Sequence, residues 1–413
     1  MAGWRECPLG DVIELKRGYD LPKQSRTAGL VPLVSSSGIS GRISEAKIAS
    51  PGVVTGRYGT IGQVFFIDEP FWPLNTTLYV RDFKGNDPRF IGYFLSLIDF
   101  MAYSDKAAVP GLNRNHLHQA VVRLPTSRDE QAAIAGVLSA LDDKIKLNRR
   151  MNETLEASAR ALFRNWFVDF GPTRAKAQGR PAYLAPDLWS LFPERLSDNG
   201  VPEGWGLARL TDHATVTKGR SYSSAELSPS TTALVTLKSF ERGGGYRRDG
   251  LKPYTGKYND EQVVSDGEIV ISQTDVTQAA ELIGRPARVI GDVRFGRLVA
   301  SLDVAILRPE PRSYLDREFL FGLTDSNDFT RHALAHTSGT TVLHLAKNAI
   351  PSFGFAIPSV ELVAAHRERV AAIVWKIAQN VQESDALTAT RDALLPKLMS
   401  GELRVRDAEA LAA

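Results

Sequence analysis

The sequence predicts an α+β chain: two α/β lobes separated by two long antiparallel coiled-coil helices and related by an internal pseudo-two-fold repeat. Three observations carry this. The opening Trp4, Leu9 and Arg17-Gly18 recur 201 residues later as Trp205, Leu210 and Lys218-Gly219. Leu124-Pro125-Thr126 recurs as Ile357-Pro358-Ser359 at a shift of 233, so the second lobe carries about 32 extra residues. After each lobe comes a proline-poor stretch in which apolar positions step alternately by four and three, the seam of a coiled coil.

Residues 1–125 read as the first lobe, with strand-like runs at Gly52–Thr55, Gln63–Ile67 and Thr77–Val80 between Gly, Pro and Asn, and a short helix near Arg89–Met101. Residues 126–170 form the first long helix, opened by the capping signal Ser127-x-x-Glu130. Its seam includes Leu138, Leu141, Ile145, Asn148, Leu155 and Leu162. Residues 171–200 are a connector with four prolines, whose Tyr183, Trp189 and Phe192 are suited to docking on a lobe. Residues 201–357 form the second lobe, with strands at Glu268–Ile271 and Leu302–Leu307. Residues 358–400 form the second helix, with seam positions Val370, Ile373, Ile377, Asn380, Leu387 and Leu394, and 401–413 are a tail. Polar seam residues recur in register, Asn148 with Asn380 and Asn152 with Ser384 at a shift of 232. Such residues give up some stability to fix alignment, so the two helices are expected to pair with each other.

With 413 residues, 43% apolar and 23% charged, the chain has the composition of a globular protein with room for two or three cores. A single cysteine, Cys7, allows no intrachain disulfide, and no apolar run approaches the roughly 20 residues of a membrane span. The N-terminus lacks the pattern of a secretion signal, and a cytoplasmic protein without membrane association is expected. A net charge of +3 permits nucleic-acid binding without requiring it.

Most enzyme classes fail for want of parts. Gly250–Lys257 has five residues between its glycines where a phosphate loop has four, and Tyr258 stands where the magnesium-binding hydroxyl belongs. His332 and His336 have ligand spacing but no evident third ligand, so no metal site is expected. No serine sits in a nucleophile elbow. Gly56-x-x-Gly59-x-x-Gly62 lies between strands, which is not the place of a dinucleotide fingerprint. No catalytic residue is assigned; a scattered carboxylate cluster stays open, as does a duplicated protein-binding scaffold.

The chain resembles the specificity subunit of type I restriction–modification systems over nearly its whole length. The segments that carry the resemblance are Ala161–Phe170 (ALFRNWFVDF) and Leu394–Leu403 (LLPKLMSGEL) at the helix ends, Leu124-Pro125 with Glu130-Gln131, Pro202-Glu203-Gly204-Trp205, and Gly56–Gly62 (GRYGTIG). The second copy departs from the pattern with Glu361-Leu362 in place of Glu-Gln. The resemblance implies that each lobe is a target recognition domain reading one half of an asymmetric, two-part sequence in double-stranded DNA. It implies that the helices hold the lobes apart and dock two methyltransferase subunits, with restriction/motor subunits joining. Catalysis, and with it S-adenosylmethionine, ATP and magnesium, would belong to those partners, leaving no cofactor in this chain.

Base reading needs forked donors and acceptors, chiefly Arg for guanine and Asn or Gln for adenine. In the first lobe the candidates are Arg57 and Tyr58 in the glycine-punctuated loop, then Asn113, Arg114, Asn115 and His116. In the second they are Arg247, Arg248, Gln273, Thr274 and Lys347. Ser35, Ser36 and Ser37 are candidate phosphate contacts. For partner docking the candidates are Trp166, Phe167, Leu394 and Leu395, because one helical seam cannot cover them all. A helix of about 40 residues rises roughly 60 Å, more than the 34–36 Å of one DNA turn, so helix length is expected to set the gap between half-targets.

Overall fold

The computed structural model describes residues 3–104, 111–277 and 279–407. It divides into two compact units, Met1–Arg149 with Val381–Ala413, and Arg150–Asn380.

In chain order the first lobe consists of β1 (Trp4–Pro8), β2 (Glu14–Arg17), β3 (Ala28–Ser35), β4 (Gly38–Ile43), β5 (Gly52–Gly56), β6 (Val64–Ile67), β7 (Trp72–Pro73), β8 (Thr77–Asp82), α1 (Pro88–Ser96), α2 (Arg114–His118) and β9 (Val121–Pro125). Its strands form an antiparallel sheet in the order β2-β8-β5-β6, a three-stranded sheet β4-β3-β7 in which β3 and β7 are parallel, and a closing pair β1-β9. Strand β5 is buried at every position, as fits its apolar run in the sheet centre. Helix α1 starts where Asp87 accepts a hydrogen bond from the Phe90 N–H at 2.8 Å and Pro88 opens the first turn. The long helix α3 (Arg128–Phe163) follows, ending in a π turn at Arg164–Val168, and then the connector helices α4 (Gly171–Ala177) and α5 (Pro186–Leu191).

The second lobe repeats the plan through β10 (Gly206–Arg209), β11 (Ala214–Lys218), β12 (Thr232–Val235), β13 (Lys252–Pro253), β14 (Val263–Val264), β15 (Ile269–Ser272), β16 (Thr274–Asp275), β17 (Pro286–Arg288), β18 (Arg297–Ala300), β19 (Val304–Pro309), α6 (Arg317–Thr324), α7 (Asn327–Ala335), β20 (Thr337–Ser338), β21 (Leu343–Leu345) and β22 (Gly354–Ile357). Sheet β11-β19-β15-β17 matches β2-β8-β5-β6, the parallel pair β12-β18 matches β3-β7, and β10-β22 matches β1-β9. Asp316 caps α6 through the Phe319 N–H at 2.9 Å, as Asp87 caps α1. The recurring basic-Gly pair has a backbone cause. A Cβ on Gly18 would lie 2.2 Å from the Leu74 carbonyl oxygen, and one on Gly219 would lie 2.1 Å from that of Ser301. Both positions sit where a strand end runs against backbone and only glycine fits.

The chain closes with α8 (Val360–Ser400). Ser127 and Ser359 cap the two long helices alike, accepting from the Glu130 and Leu362 N–H groups at 3.4 Å each. That register resolves the departure at Glu361-Leu362: Gln131 corresponds to Val363, and both are buried. Gln131 bonds the Asn86 side chain and the Pro125 carbonyl, whereas Val363 meets the need for burial with an apolar side chain.

Within the first unit Asp142 pairs with Arg391 at 2.6 Å and the Asn148 amide donates to Glu383 at 2.8 Å, so numbers fall along α8 as they rise along α3. Within the second, the Asn380 amide donates to Asn152 at 2.8 Å. The helices are therefore antiparallel in each unit. Leu138, Leu141 and Leu394 are buried in the first lobe's core, with Ile145 and Asn148 buried beyond them; Val370 and Asn380 are buried in the second unit. The remaining seam residues, Leu387 in the first unit and Leu155, Leu162, Ile373 and Ile377 in the second, are half-buried, because one facing helix covers only part of each. Each unit takes part of both helices, since each core runs from lobe onto helix.

Trp166 and Phe167 correct the docking expectation. They are 1% and 7% exposed, packed with Phe163, Phe319 and His366 inside the second unit, with Phe192 of the connector closing over Trp166 at 5.1 Å between ring centroids. Leu394 is likewise a core residue of the first unit, and only Leu395 reaches a surface cleft. Both aromatics lie in the π turn at Arg164–Val168 that ends α3. Among the described residues no helix is long and apolar enough to cross a membrane.

Candidate nucleic-acid interface

The first-lobe candidates, far apart in sequence, meet at the end of β5. The Arg57 N–H donates to the Thr76 carbonyl at 2.8 Å, and the Arg57 carbonyl accepts from the Leu112 N–H at 3.0 Å. Tyr58 forms an antiparallel bridge with Gly111. These bonds bring the Gly56–Gly62 loop beside α2, which carries Arg114, Asn115 and His116 on its exposed side. Gly56, Gly59 and Gly62 shape the β5–β6 hairpin; a Cβ on Gly56 would lie 2.0 Å from the Thr60 carbonyl oxygen. The serine turn between β3 and β4 is close by, since the same Cβ would lie 3.1 Å from the Ser36 carbonyl oxygen.

The guanidinium of Arg57 lies over the Tyr58 ring, 4.6 Å from its centroid. The ring in turn rests on Gly111, where a Cβ would come within 2.5 Å of it. Asn113 is committed to capping α2, its side chain accepting from the Asn115 N–H at 3.0 Å. His118, at the end of α2, accepts the Leu15 N–H on Nε2 at 3.0 Å. Burial, with Arg114 adding to it, holds this imidazole below its usual pKa and so in the neutral form that accepting requires.

The second lobe builds the same frame. The Gln273 N–H donates to the Asp303 carbonyl at 2.7 Å, and the Gln273 carbonyl accepts from the Leu345 N–H at 2.9 Å. Thr274 pairs with His344 as Tyr58 pairs with Gly111. Arg57 and Gln273 thus occupy one backbone node in two copies, and Arg114 and Lys347 stand two residues past the leucine that closes it. Lys347 is exposed. Thr274 is buried, and its hydroxyl donates to the Asp303 carboxylate at 3.0 Å, which leaves it a supporting position.

Arg247 and Arg248 lie elsewhere, in the β12–β13 connection beside a different sheet. Arg247 is held by Asp249 through a two-pronged ion pair with contacts of 3.1 and 2.6 Å, and that bond holds the Asp249 carboxyl below the usual range. His344 and Asn348 were missed as neighbours of Gln273 and Lys347. Extending the 233-residue shift from Leu124 and Ile357 back to Leu112 and Leu345 would have found them.

The two histidines and the glycine-flanked segment are tied up in local hydrogen bonds. His332 bonds the Ala349 carbonyl and His336 the His332 carbonyl, both at 2.8 Å, and no metal-holding cluster occurs among the described residues. Gly250–Lys257 carries strand β13 and ends in a turn closed by the Tyr254 hydroxyl, which donates to the Lys257 carbonyl at 3.1 Å.

Fold and site together define a duplicated α+β protein, in which one frame carries different side chains in each of two lobes. Residues 1–157 match the type I restriction modification DNA specificity domain. The specificity subunit of the type I restriction enzyme HindI of Haemophilus influenzae is 23% identical, over 98% of this chain and 100% of the relative. That of MjaIX from Methanocaldococcus jannaschii is 27% identical over 74% of this chain and 65% of the relative. The type I restriction–modification S subunit of M. genitalium shares the fold with a TM-score of 0.51 at 16% identity, covering 96% of each chain. Residues 1–157 thus match the type I specificity domain, and along its length the chain is similar to type I specificity subunits.

Proposed function

We propose that each lobe reads one half of an asymmetric, two-part DNA target through the frame around Arg57 and Gln273, and that the chain itself performs no catalysis. The observation that carries this reading is the repeated set of backbone bonds, which fixes one geometry in both lobes while the side chains on it differ. Two unlike lobes specify two unlike half-sequences, so the target lacks a palindrome. Arg114 and Lys347, beside the two nodes, supply phosphate contacts. Helices α3 and α8, of 36 and 41 residues, set the spacer between halves, with the polar seam fixing their register.

Methyl transfer from S-adenosylmethionine and ATP- and magnesium-dependent restriction belong to partner subunits. The docking places for two methyltransferase copies are two clefts of about 550 and 570 Å³, one in each unit. Leu395 lines the first and Phe163 the second, residues that correspond at the 232-residue shift of the helices.

The test is to map adenine methylation in cells with and without this chain, then measure binding of the mapped sequence by the assembled complex against salt. Loss of one two-part motif, with affinity falling steeply as salt rises, is the expected result. Methylation unchanged by the chain's removal would sink the proposal.

A further inference from the structure

We infer that Arg57 and Gln273 select different bases, Arg57 a guanine in one half-target and Gln273 an adenine in the other. This rests on the function proposed above and names what its two nodes recognise. In the major groove, guanine offers two acceptors to a forked donor, while adenine offers one acceptor and one donor that a carboxamide matches atom for atom. Arg has only donors, and Gln has one of each.

Both side chains are available for this. Many arginines here are held by carboxylates: Arg42 by Glu69, Arg81 by Glu14, Arg89 by Asp68 and Asp143, Arg247 by Asp249. Arg57 has no carboxylate within 4.0 Å among the described residues, and no hydrogen bond from the Gln273 carboxamide is found among them. Each is only half-buried, while the backbone that bears it is bonded on both sides, so the reach of the side chain is set by the frame. The shafts are steadied by different means. Tyr58, seated on Gly111, is a positioning residue that keeps the Arg57 guanidinium over its ring. Beside Gln273 the buried Thr274–Asp303 bond does the same for the backbone.

The experiment is selection of duplexes with randomised half-targets by the complex of this chain with its methyltransferase subunits. Comparing the unsubstituted chain with R57Q and Q273R, the expected result is a change of G·C to A·T at a single pair of one half for R57Q. For Q273R, A·T should change to G·C at a single pair of the other half. Each change should shift preference about 5- to 150-fold. R57K and Q273A, milder replacements, should flatten the same single positions. Selected sequences left unaltered by all four substitutions, or R57Q and Q273R acting on the same half, would overturn the base assignment while the two-part reading stands. Failure of the unsubstituted complex to enrich any two-part sequence would instead overturn the function on which the assignment rests.

Discussion

The Asn380 side-chain amide Nδ2 donates to the Asn152 side-chain oxygen Oδ1 at 2.8 Å across the helix pair. In the first unit the Asn148 amide reaches Ser384 at 3.4 Å, and by the repeat Asn148 corresponds to Asn380 and Ser384 to Asn152. The same crossed relationship is therefore made twice, as an antiparallel pairing of duplicated helices requires. Asn380 is 1% exposed, so its truncation is felt. Asn380→Ala is expected to cost about 1–3 kcal/mol, read from urea unfolding. Asn380→Leu, which leaves an apolar side chain of similar size, should cost less while loosening the register. No measurable loss of stability in either variant would show that the polar contact contributes nothing.

The duplication, the long helices and the seam were legible because each leaves a periodic or repeated signal. Arg57, Arg114, Gln273 and Lys347 were legible as residue types, but their meeting was not, since it depends on backbone bonds from Leu112 and Leu345 that no local pattern announces. Trp166 and Phe167 misled. One helical seam cannot cover both, but residues of the second lobe and Phe192 of the connector do, and no local pattern announces that cover. The division of each helix between two cores was also invisible, because α3 reads as one uninterrupted pattern from end to end.

Gly219→Ala should damage the second lobe selectively. The added methyl would meet the Ser301 carbonyl oxygen at 2.1 Å, and that oxygen belongs to backbone packed between β18 and β19. Overpacking of this kind costs about 1–3 kcal/mol. Differential scanning calorimetry should show a lowered transition, and DNA selection should show the first half-target intact with the second weakened. Unchanged melting would mean the strand end shifts freely.

His366 makes a pH prediction. It is 1% exposed among Phe163, Trp166 and Phe167, and neither ring nitrogen has a hydrogen-bond partner among the described residues. Burial lowers its pKa from 6.5 to about 4. The unfolded chain then binds a proton that the folded chain refuses, so stability from this group is present above pH 6.5 and declines as pH falls toward 4. The slope is at most about 1.4 kcal/mol per pH unit. His366→Phe should flatten the dependence of unfolding free energy on pH across this window, and an identical slope in the variant would refute the assignment.

The clefts make a prediction about assembly. Lys146 lines the first and is 60% exposed at its side chain; Arg331 lines the second and is 78% exposed. Lys146→Glu and Arg331→Glu reverse charge at each mouth without disturbing a core, so folding should be unaffected. Native mass spectrometry of complexes assembled with methyltransferase is expected to show one bound copy for either variant and none for the double variant. Two copies retained throughout would move docking away from the clefts.

If the helix pair sets the spacer, lengthening it should act on the spacer alone. One heptad inserted into each helix at matching levels, beside Asn152 and Asn380, preserves the four-three alternation and the antiparallel seam. It adds about 10 Å of rise, equivalent to about three base pairs at 3.4 Å each. The lobes and their frames are untouched, so both half-sequences should be kept while the preferred gap grows. Selection from DNA libraries of varied spacer length reads this directly. Altered half-sequences with an unchanged gap would defeat the ruler. An insertion in α3 alone should abolish two-part binding, because it puts Asn152 out of step with Asn380 and leaves buried amides facing apolar neighbours.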